Sequence, residues 1–246
     1  MVSDGQVLLV DAGNSRIKSV TLAEVTTQAP LVHDDLTAFF CYLNTHQYKQ
    51  LVFSNVGKQQ ISTAISTYCD DQNIAHKEIF TEKSRFGLKN SYQQVQKMGV
   101  DRWLAMIAGL EMTTYPFCVI DVGTAITCDF VVDGQHLGGW ITPGFEIMRD
   151  ALVENTAKVT ANDKIPSALS LGSNTEDCVS LGCMAAVNGV YLSAVDYLSS
   201  KQSQFVVIIG GGGKNMLAIN HSADTICSAN LVVHGLARYA RSSLFV

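Results

Sequence analysis

The chain is short of charge. Only 16% of its 246 residues are Asp, Glu, Lys or Arg, below the usual quarter, while 47% are hydrophobic. That balance excludes a disordered chain, which combines high charge with little apolar content. Basic residues are the scarcer kind: 17 Lys and Arg stand against 22 Asp and Glu, a formal net charge of −5. Proteins that coat nucleic acid carry a basic face, so that class is disfavoured. A small anionic ligand stays open, because a few local donors hold a phosphate. There are only four prolines and no Pro-rich linker.

Other absences narrow the field. The N-terminus lacks a basic start followed by a long apolar stretch, so no signal peptide is expected. No run approaches the ~20 apolar residues of a membrane span. The seven cysteines are odd in number and form no C-x-x-C, which reads as buried small hydrophobes in a reducing cytoplasm. The histidines at 33, 46, 76, 136, 221 and 234 show no metal spacing. No G-x-S-x-G occurs, and no G-x-G-x-x-G follows a strand, so a serine hydrolase, zinc hydrolase or dinucleotide oxidoreductase has little support. The run from Gly210 to Gly213 and Lys214 is not a Walker loop: Asn215 replaces the Ser or Thr, and the upstream glycine spacing fails. Four glycines after a strand either let a flat base or ribose approach the backbone or form a flexible turn.

What is present is an alternation. Residues 7–10, 51–53, 117–120 and 205–209 read as buried strands. Residues 101–112 place Trp103, Leu104, Ile107 and Leu110 on one helical face, and 177–199 is a longer apolar-periodic stretch interrupted by Gly182 and Gly189. Strands alternating with helices predict an α/β architecture. At roughly 150 residues per domain, the length alone allows one large domain or two small ones.

An internal repeat favours two. LLVDAGNSRIK at 8–18 and CVIDVGTAITCD at 118–129 both run from an apolar strand into Asp-x-Gly and a small polar residue. The aspartates are Asp11 and Asp121; the glycines are Gly13 and Gly123. Gly13 permits a positive φ or a close backbone approach to a phosphate. Successive N–H groups of such a turn point at an anion, with Asn14 and Ser15 as further donors and Lys18 as a cation. A single Asp-x-Gly is also a common hairpin turn; two copies are what a kinase needs to hold a polyphosphate from both sides. The aspartates would hold a metal directly or through water. The expected halves are 1–115 and 116–246.

Gly99, Val100, Asp101, Arg102 and Trp103 form a third feature. Asp101 at a helix start is favourable by itself. It is also placed to act as a base on a substrate hydroxyl, which suits phosphoryl transfer because the transition state is loose and the proton leaves late. Arg102 offers a fork of donors for a carboxylate or phosphate. Residues 138–144, GGWITPG, read as tight turns flanking a short strand.

In this order and spacing, DAGNSRIK, GVDRW, DVGTAITCD and GGWITPG resemble the type III pantothenate kinases of the actin, Hsp70 and sugar-kinase superfamily. The resemblance continues through Ser54 to Val56, Tyr92, Leu171 to Thr175, the glycine run, and Leu231 to Leu236. It implies two ribonuclease-H-like (actin-like ATPase) domains, with mixed sheets flanked by helices and the nucleotide in the interdomain cleft. The implied reaction is ATP-dependent phosphorylation of pantothenate to 4′-phosphopantothenate, the first step of coenzyme A synthesis.

By the same resemblance, Asp11, Ala12, Gly13, Asn14, Ser15, Arg16, Ile17 and Lys18 match the first phosphate motif, and Thr124 matches an ATP contact. Asp101 matches the proton acceptor. Tyr92, Gly99, Val100, Asp101, Arg102 and Thr175 match pantothenate-binding positions. Asp121 matches the ligand of a monovalent cation, potassium or ammonium, acting beside Mg²⁺. The resemblance also implies a homodimer whose partner chain helps wall the substrate site, with no nucleic-acid or membrane partner. The sequence departs from the family pattern at Ser15, at 155–159 and in the four glycines, but not at Asp11, Asp101 or Asp121. Two other readings are a superfamily kinase acting on a sugar or small acid, and a non-catalytic regulator of transcription. No basic helix-turn-helix segment supports the latter.

Overall fold

The structure is a computed structural model that describes residues 2–14, 16–217 and 224–242. The chain divides into two compact units, 1–112 with 230–246, and 113–229.

In the first unit, β1 (Val7–Ala12) is buried along its whole length, as a strand covered on both faces must be. The sheet also contains β2 (Ile17–Thr21), β3 (Leu31–His33), β4 (Gln50–Asn55) and β5 (Ala75–Glu78), in the order β3-β2-β1-β4-β5. β1 pairs antiparallel with β2 and parallel with β4, and β4 pairs parallel with β5. Side chains alternate across the sheet. Leu8 and Val10 pack with Phe39 and Leu43 of α1 (Leu36–Asn44) and Ile65 and Cys69 of α2 (Gln59–Asp71). Val7 and Leu9 face the other way, toward Leu104 of α3 (Val100–Met112). A small hairpin, β6 (Ser84–Arg85) and β7 (Leu88–Lys89), lies between β5 and α3 in sequence.

The second unit repeats this plan. Its strands are β8 (Phe117–Val122), β9 (Ala125–Val132), β10 (Gln135–Pro143), β11 (Val206–Gly210) and β12 (Asp224–Cys227), running in the order β12-β11-β8-β9-β10. β8 is antiparallel to β9 and parallel to β11, which is parallel to β12. The two sheets therefore share strand order and direction, with β8 standing where β1 stands. Asp133 and Gly134, both at positive φ, close the β9–β10 hairpin. α4 (Phe145–Glu154) and α5 (Thr175–Ser199) complete the unit.

Four expectations need correction. The split at 115/116 assigned the C-terminal residues to the second half, but α6 (Leu231–Ser242) belongs to the first unit. Its buried Val233, Leu236, Ala237 and Tyr239 join the core of β1 and α3. Gly235 allows the close approach: a Cβ there would lie 2.3 Å from the Leu104 carbonyl oxygen. Gly182 and Gly189 do not interrupt α5, because burial of Val179, Met184, Val187, Tyr191 and Leu198 outweighs the ~1 kcal/mol helix penalty of each glycine. This 25-residue helix is also long and apolar enough to cross a membrane by length and composition, contrary to the expectation from the sequence. It is the core helix of the second unit, with one face in the sheet's core cluster. Finally, GGWITPG is not a pair of turns around a strand: 138–143 lie within β10, and Gly144 is the N-cap of α4.

Candidate active site

The first Asp-x-Gly closes the β1–β2 hairpin. Asp11 lies opposite Lys18 and Ala12 opposite Ile17. The Gly13 N–H donates to the Arg16 carbonyl at 3.0 Å. Gly13 is not among the residues with positive φ. A Cβ there would come 3.1 Å from the Arg16 carbonyl oxygen, a tight contact but one that a small shift relieves. Ala12 and Ile17 are buried in the core, so contact with a phosphate from these two would be through the backbone. Asn14 and Arg16 are exposed, and Arg16 lies 3.9 Å from Asp34. Ser15 lies outside the described residues. The 54–57 segment braces this hairpin: the Val56 N–H donates to the Ala12 carbonyl at 3.1 Å, and Asn55 Oδ1 accepts from the Gly57 N–H at 2.8 Å.

The second Asp-x-Gly, in the second unit, is enclosed by other glycines. Gly123 N–H donates to the Ala125 carbonyl at 3.0 Å, and Gly144 N–H to the Thr124 carbonyl at 2.9 Å. A Cβ on Gly144 would stand 2.2 Å from the Gly123 carbonyl oxygen. From the other side Gly213 N–H donates to the Val122 carbonyl at 2.9 Å. Gly211 has a positive φ of +86°, and its Cβ would meet the same carbonyl oxygen at 2.2 Å. Gly144, Gly211 and Gly213 thus share one purpose: they let backbone pack against the 121–125 turn, leaving Gly123 and Thr124 exposed. Asp121 is half-buried, at the end of β8 beside Gly210 of β11. Asp129, further along the repeat, is fully buried and paired with His136 Nε2 at 3.0 Å, so it serves the core.

The third feature lies in the first unit. Asp101 occupies the first turn of α3, and its Oδ1 accepts the Arg102 N–H at 2.8 Å. A Cβ on Gly99 would come 2.4 Å from the same oxygen, so only glycine leaves this carboxylate in place. Arg102 is buried, and its Nη1 donates to the Tyr92 hydroxyl at 3.0 Å. The structure therefore brings Tyr92, Gly99, Val100, Asp101 and Arg102 together. Thr175 is in the second unit, exposed at the start of α5 after the N-cap Asn174. Sequence reasoning did not find Asn90, whose buried Oδ1 accepts the Tyr92 N–H at 2.9 Å. No motif or spacing marks it.

Among the described residues, no group of three or more His, Cys, Asp or Glu is placed to hold a metal ion. Mg²⁺ carried by a polyphosphate needs no such group, since this ion keeps several waters and takes one or two carboxylates besides substrate phosphates. Asp11, near the end of β1, and Asp121, near the end of β8, are the carboxylates of the two turns.

The family profile of the type III pantothenate kinases matches residues 7–196. This chain belongs to that family. It is 38% identical over 245 residues to the type III pantothenate kinase of Pseudoalteromonas atlantica, covering 97% of this chain and 99% of the relative. Type III pantothenate kinases phosphorylate pantothenate with ATP in coenzyme A synthesis, and the chain is such an enzyme.

Its fold is similar to that of a Campylobacter jejuni protein described as a Baf family transcriptional activator, with TM-score 0.62, 19% identity, and 97% and 100% of the two chains covered. A Sinorhizobium meliloti protein described as a 2-dehydro-3-deoxygalactonokinase aligns with TM-score 0.55 and 11% identity, over 98% and 100% of the chains. At such identities the likeness is one of fold alone. The shared architecture is one of mixed sheets flanked by helices.

Proposed function

We propose that Asp101 is the proton acceptor of the type III pantothenate kinase reaction and that Tyr92, Gly99, Val100 and Arg102 hold pantothenate beside it. The observation that carries this is the single cluster they form at the first turn of α3. The Arg102 N–H fixes the Asp101 carboxylate through Oδ1, and Tyr92 holds the Arg102 guanidinium. As the primary hydroxyl of pantothenate attacks the γ-phosphorus of ATP, its proton passes to the Asp101 carboxylate, and ADP departs with the broken P–O bond. A carboxylate is a weak base, adequate where the nucleophile's proton is lost late. Arg102, with its fixed fork of donors, takes the anionic end of the substrate. Replacing Tyr92 by Phe frees the guanidinium. The expected result is a KM for pantothenate raised about tenfold, with kcat and the KM for ATP within about twofold. An unchanged KM for pantothenate would remove Tyr92 from the site.

The turns at 11–18 and 121–124 are assigned to the phosphates of ATP, with Thr124 as a direct contact. Mg²⁺ bound with ATP would offset phosphate charge, which suits a chain with few basic residues. Asp121 is assigned to a monovalent cation, potassium or ammonium. Exchange of potassium for sodium is then expected to lower kcat several-fold; equal rates in the two salts would exclude this assignment.

A homodimer, with Thr175 acting in the substrate site at the subunit interface, is the further part of this proposal. Its support is an apolar groove of about 410 Å³ between α4 and α5, lined by Ile147, Ala151, Leu152, Gly182 and Ala186 among others. Ile147 and Leu152 are each 44% exposed, and Leu192 of α5 is 59% exposed. An exposed apolar groove of this kind is suited to an association surface. Sedimentation is expected to give twice the chain mass of 26.6 kDa. Ala186→Arg is expected to give single chains and a raised KM for pantothenate. A wild-type monomer with full activity would contradict the dimer. All seven cysteines are free thiols, which fits the reducing cytoplasm to which we assign the enzyme.

A further inference from the structure

The substrate cluster is one arc of a closed hydrogen-bonded circuit that runs through the C-terminal helix. Arg102 Nη1 donates to the Tyr92 hydroxyl at 3.0 Å. The Tyr92 N–H donates to Asn90 Oδ1 at 2.9 Å, and Asn90 Nδ2 donates to the Glu82 carbonyl at 3.4 Å. The Glu82 carboxylate accepts the Tyr239 hydroxyl at 2.5 Å, and that hydroxyl accepts the Trp103 indole N–H at 2.9 Å. Trp103 is the covalent neighbour of Arg102, which closes the ring. Lys83 reinforces the Tyr92 arc, its Nζ donating to the Asn90 carbonyl at 3.1 Å and the Tyr92 carbonyl at 3.2 Å.

Burial makes this circuit consequential. Trp103, Asn90, Arg102 and Tyr239 are all buried. A buried donor or acceptor that loses its partner is costly, so each member constrains the next. The Tyr239 ring is held independently, edge-on to Phe86 at 5.0 Å between centroids. Burial and the hydrogen bond to Glu82 push the Tyr239 hydroxyl well above the usual phenol range, so it stays a donor. Tyr239 is the one member supplied by α6, which packs on α3 where Gly235 meets Leu104.

We propose that Tyr239, through Glu82 and Asn90 on one side and Trp103 on the other, is a positioning residue for pantothenate, holding Tyr92 and Arg102 in register with Asp101. This rests on the assignment of Tyr92 and Arg102 to the substrate. The C-terminal helix is thereby part of the substrate-recognition apparatus, although none of its residues is placed against the substrate.

The test is steady-state kinetics on the full-length enzyme. Tyr239→Phe keeps the ring and removes the hydroxyl. It is expected to raise the KM for pantothenate about tenfold, with the KM for ATP and kcat within about twofold. Glu82→Gln retains an acceptor for the hydroxyl and is expected to keep the wild-type KM, whereas Glu82→Ala is expected to behave as Tyr239→Phe does. The double variant Tyr92→Phe with Tyr239→Phe is expected to be little worse than either single variant, because both open one circuit. A lowered melting temperature with an unchanged KM for pantothenate in Tyr239→Phe, while Tyr92→Phe raises it, would show a purely structural tyrosine and overturn the proposal. If Tyr239→Phe raises the KM and Tyr92→Phe does not, the assignment of Tyr92 to the substrate fails, and the circuit fails with it.

Discussion

Asp101→Ala is expected to lower kcat for pantothenate phosphorylation by about 10²- to 10⁴-fold, the range typical of a lost general base. The fold should tolerate the change. Asp101 is in the first turn of α3, where a negative charge contributes about 0.3–1 kcal/mol through the helix dipole. The bond that its carboxylate accepts from the Arg102 N–H, at 2.8 Å, is local to that turn. The melting temperature should therefore drop by a few degrees at most, and calorimetry should show ATP bound with nearly wild-type affinity. Pantothenate binding should weaken only modestly, because Tyr92 and Arg102 still meet through a separate contact. Wild-type turnover in this variant would remove Asp101 from the chemistry. Loss of folding would instead mark it as a helix-start residue only, and Asp101→Asn, which keeps the acceptor for the Arg102 N–H, then separates the two roles.

The second large effect is expected inside the glycine run, and it is selective. Gly211→Ala forces a side chain into a left-handed backbone conformation, at φ +86°, with its Cβ 2.2 Å from the Val122 carbonyl oxygen and 2.5 Å from the Val122 nitrogen. The conformational cost alone is about 1–2 kcal/mol. The contacts are with backbone, which no rotamer change relieves, so the total loss should reach about 3 kcal/mol or more. Val122 lies between Asp121 and the Gly123–Thr124 turn. In whatever fraction folds, the KM for ATP should rise at least about tenfold. Its neighbour is the control. A Cβ on Gly212 meets nothing within 4 Å. Gly212→Ala should therefore stay within about 0.5 kcal/mol of wild type, with unchanged kinetics. Urea unfolding and ATP titration of the two variants measure both effects. Equal tolerance at 211 and 212 would show that the run is merely a flexible turn.

How much of the fold and site was legible in the sequence depends on the range of the interaction. The paired Asp-x-Gly turns are local events, a strand running into a hairpin, and they led to two sheets with the same strand order. The GVDRW segment is local too, and the helix begins one residue before Asp101. What the sequence concealed was long-range. Trp103 and Tyr239 are 136 positions apart and Glu82 and Tyr239 are 157 apart, so no spacing rule joins them. The placement of α6 in the first unit turns on the approach of Gly235 to Leu104, again a tertiary contact. Conformation was harder than position: positive φ belongs to Gly211 of the glycine run and not to Gly13 of the first turn. The glycines of α5 read as breaks because propensity is local, and the buried face that overrides them is not.

The central claim is that this chain transfers the γ-phosphoryl group of ATP to the primary hydroxyl of pantothenate with Asp101 as proton acceptor. The most direct measurement follows label from γ-labelled ATP, with and without pantothenate, in the wild-type enzyme and in Asp101→Asn. The expected result is pantothenate-dependent labelled 4′-phosphopantothenate from the wild type, and formation slowed at least about 10²-fold in the variant, with both substrates still bound. Labelled product formed by Asp101→Asn at the wild-type rate, or label released only as inorganic phosphate by the wild type, would contradict it.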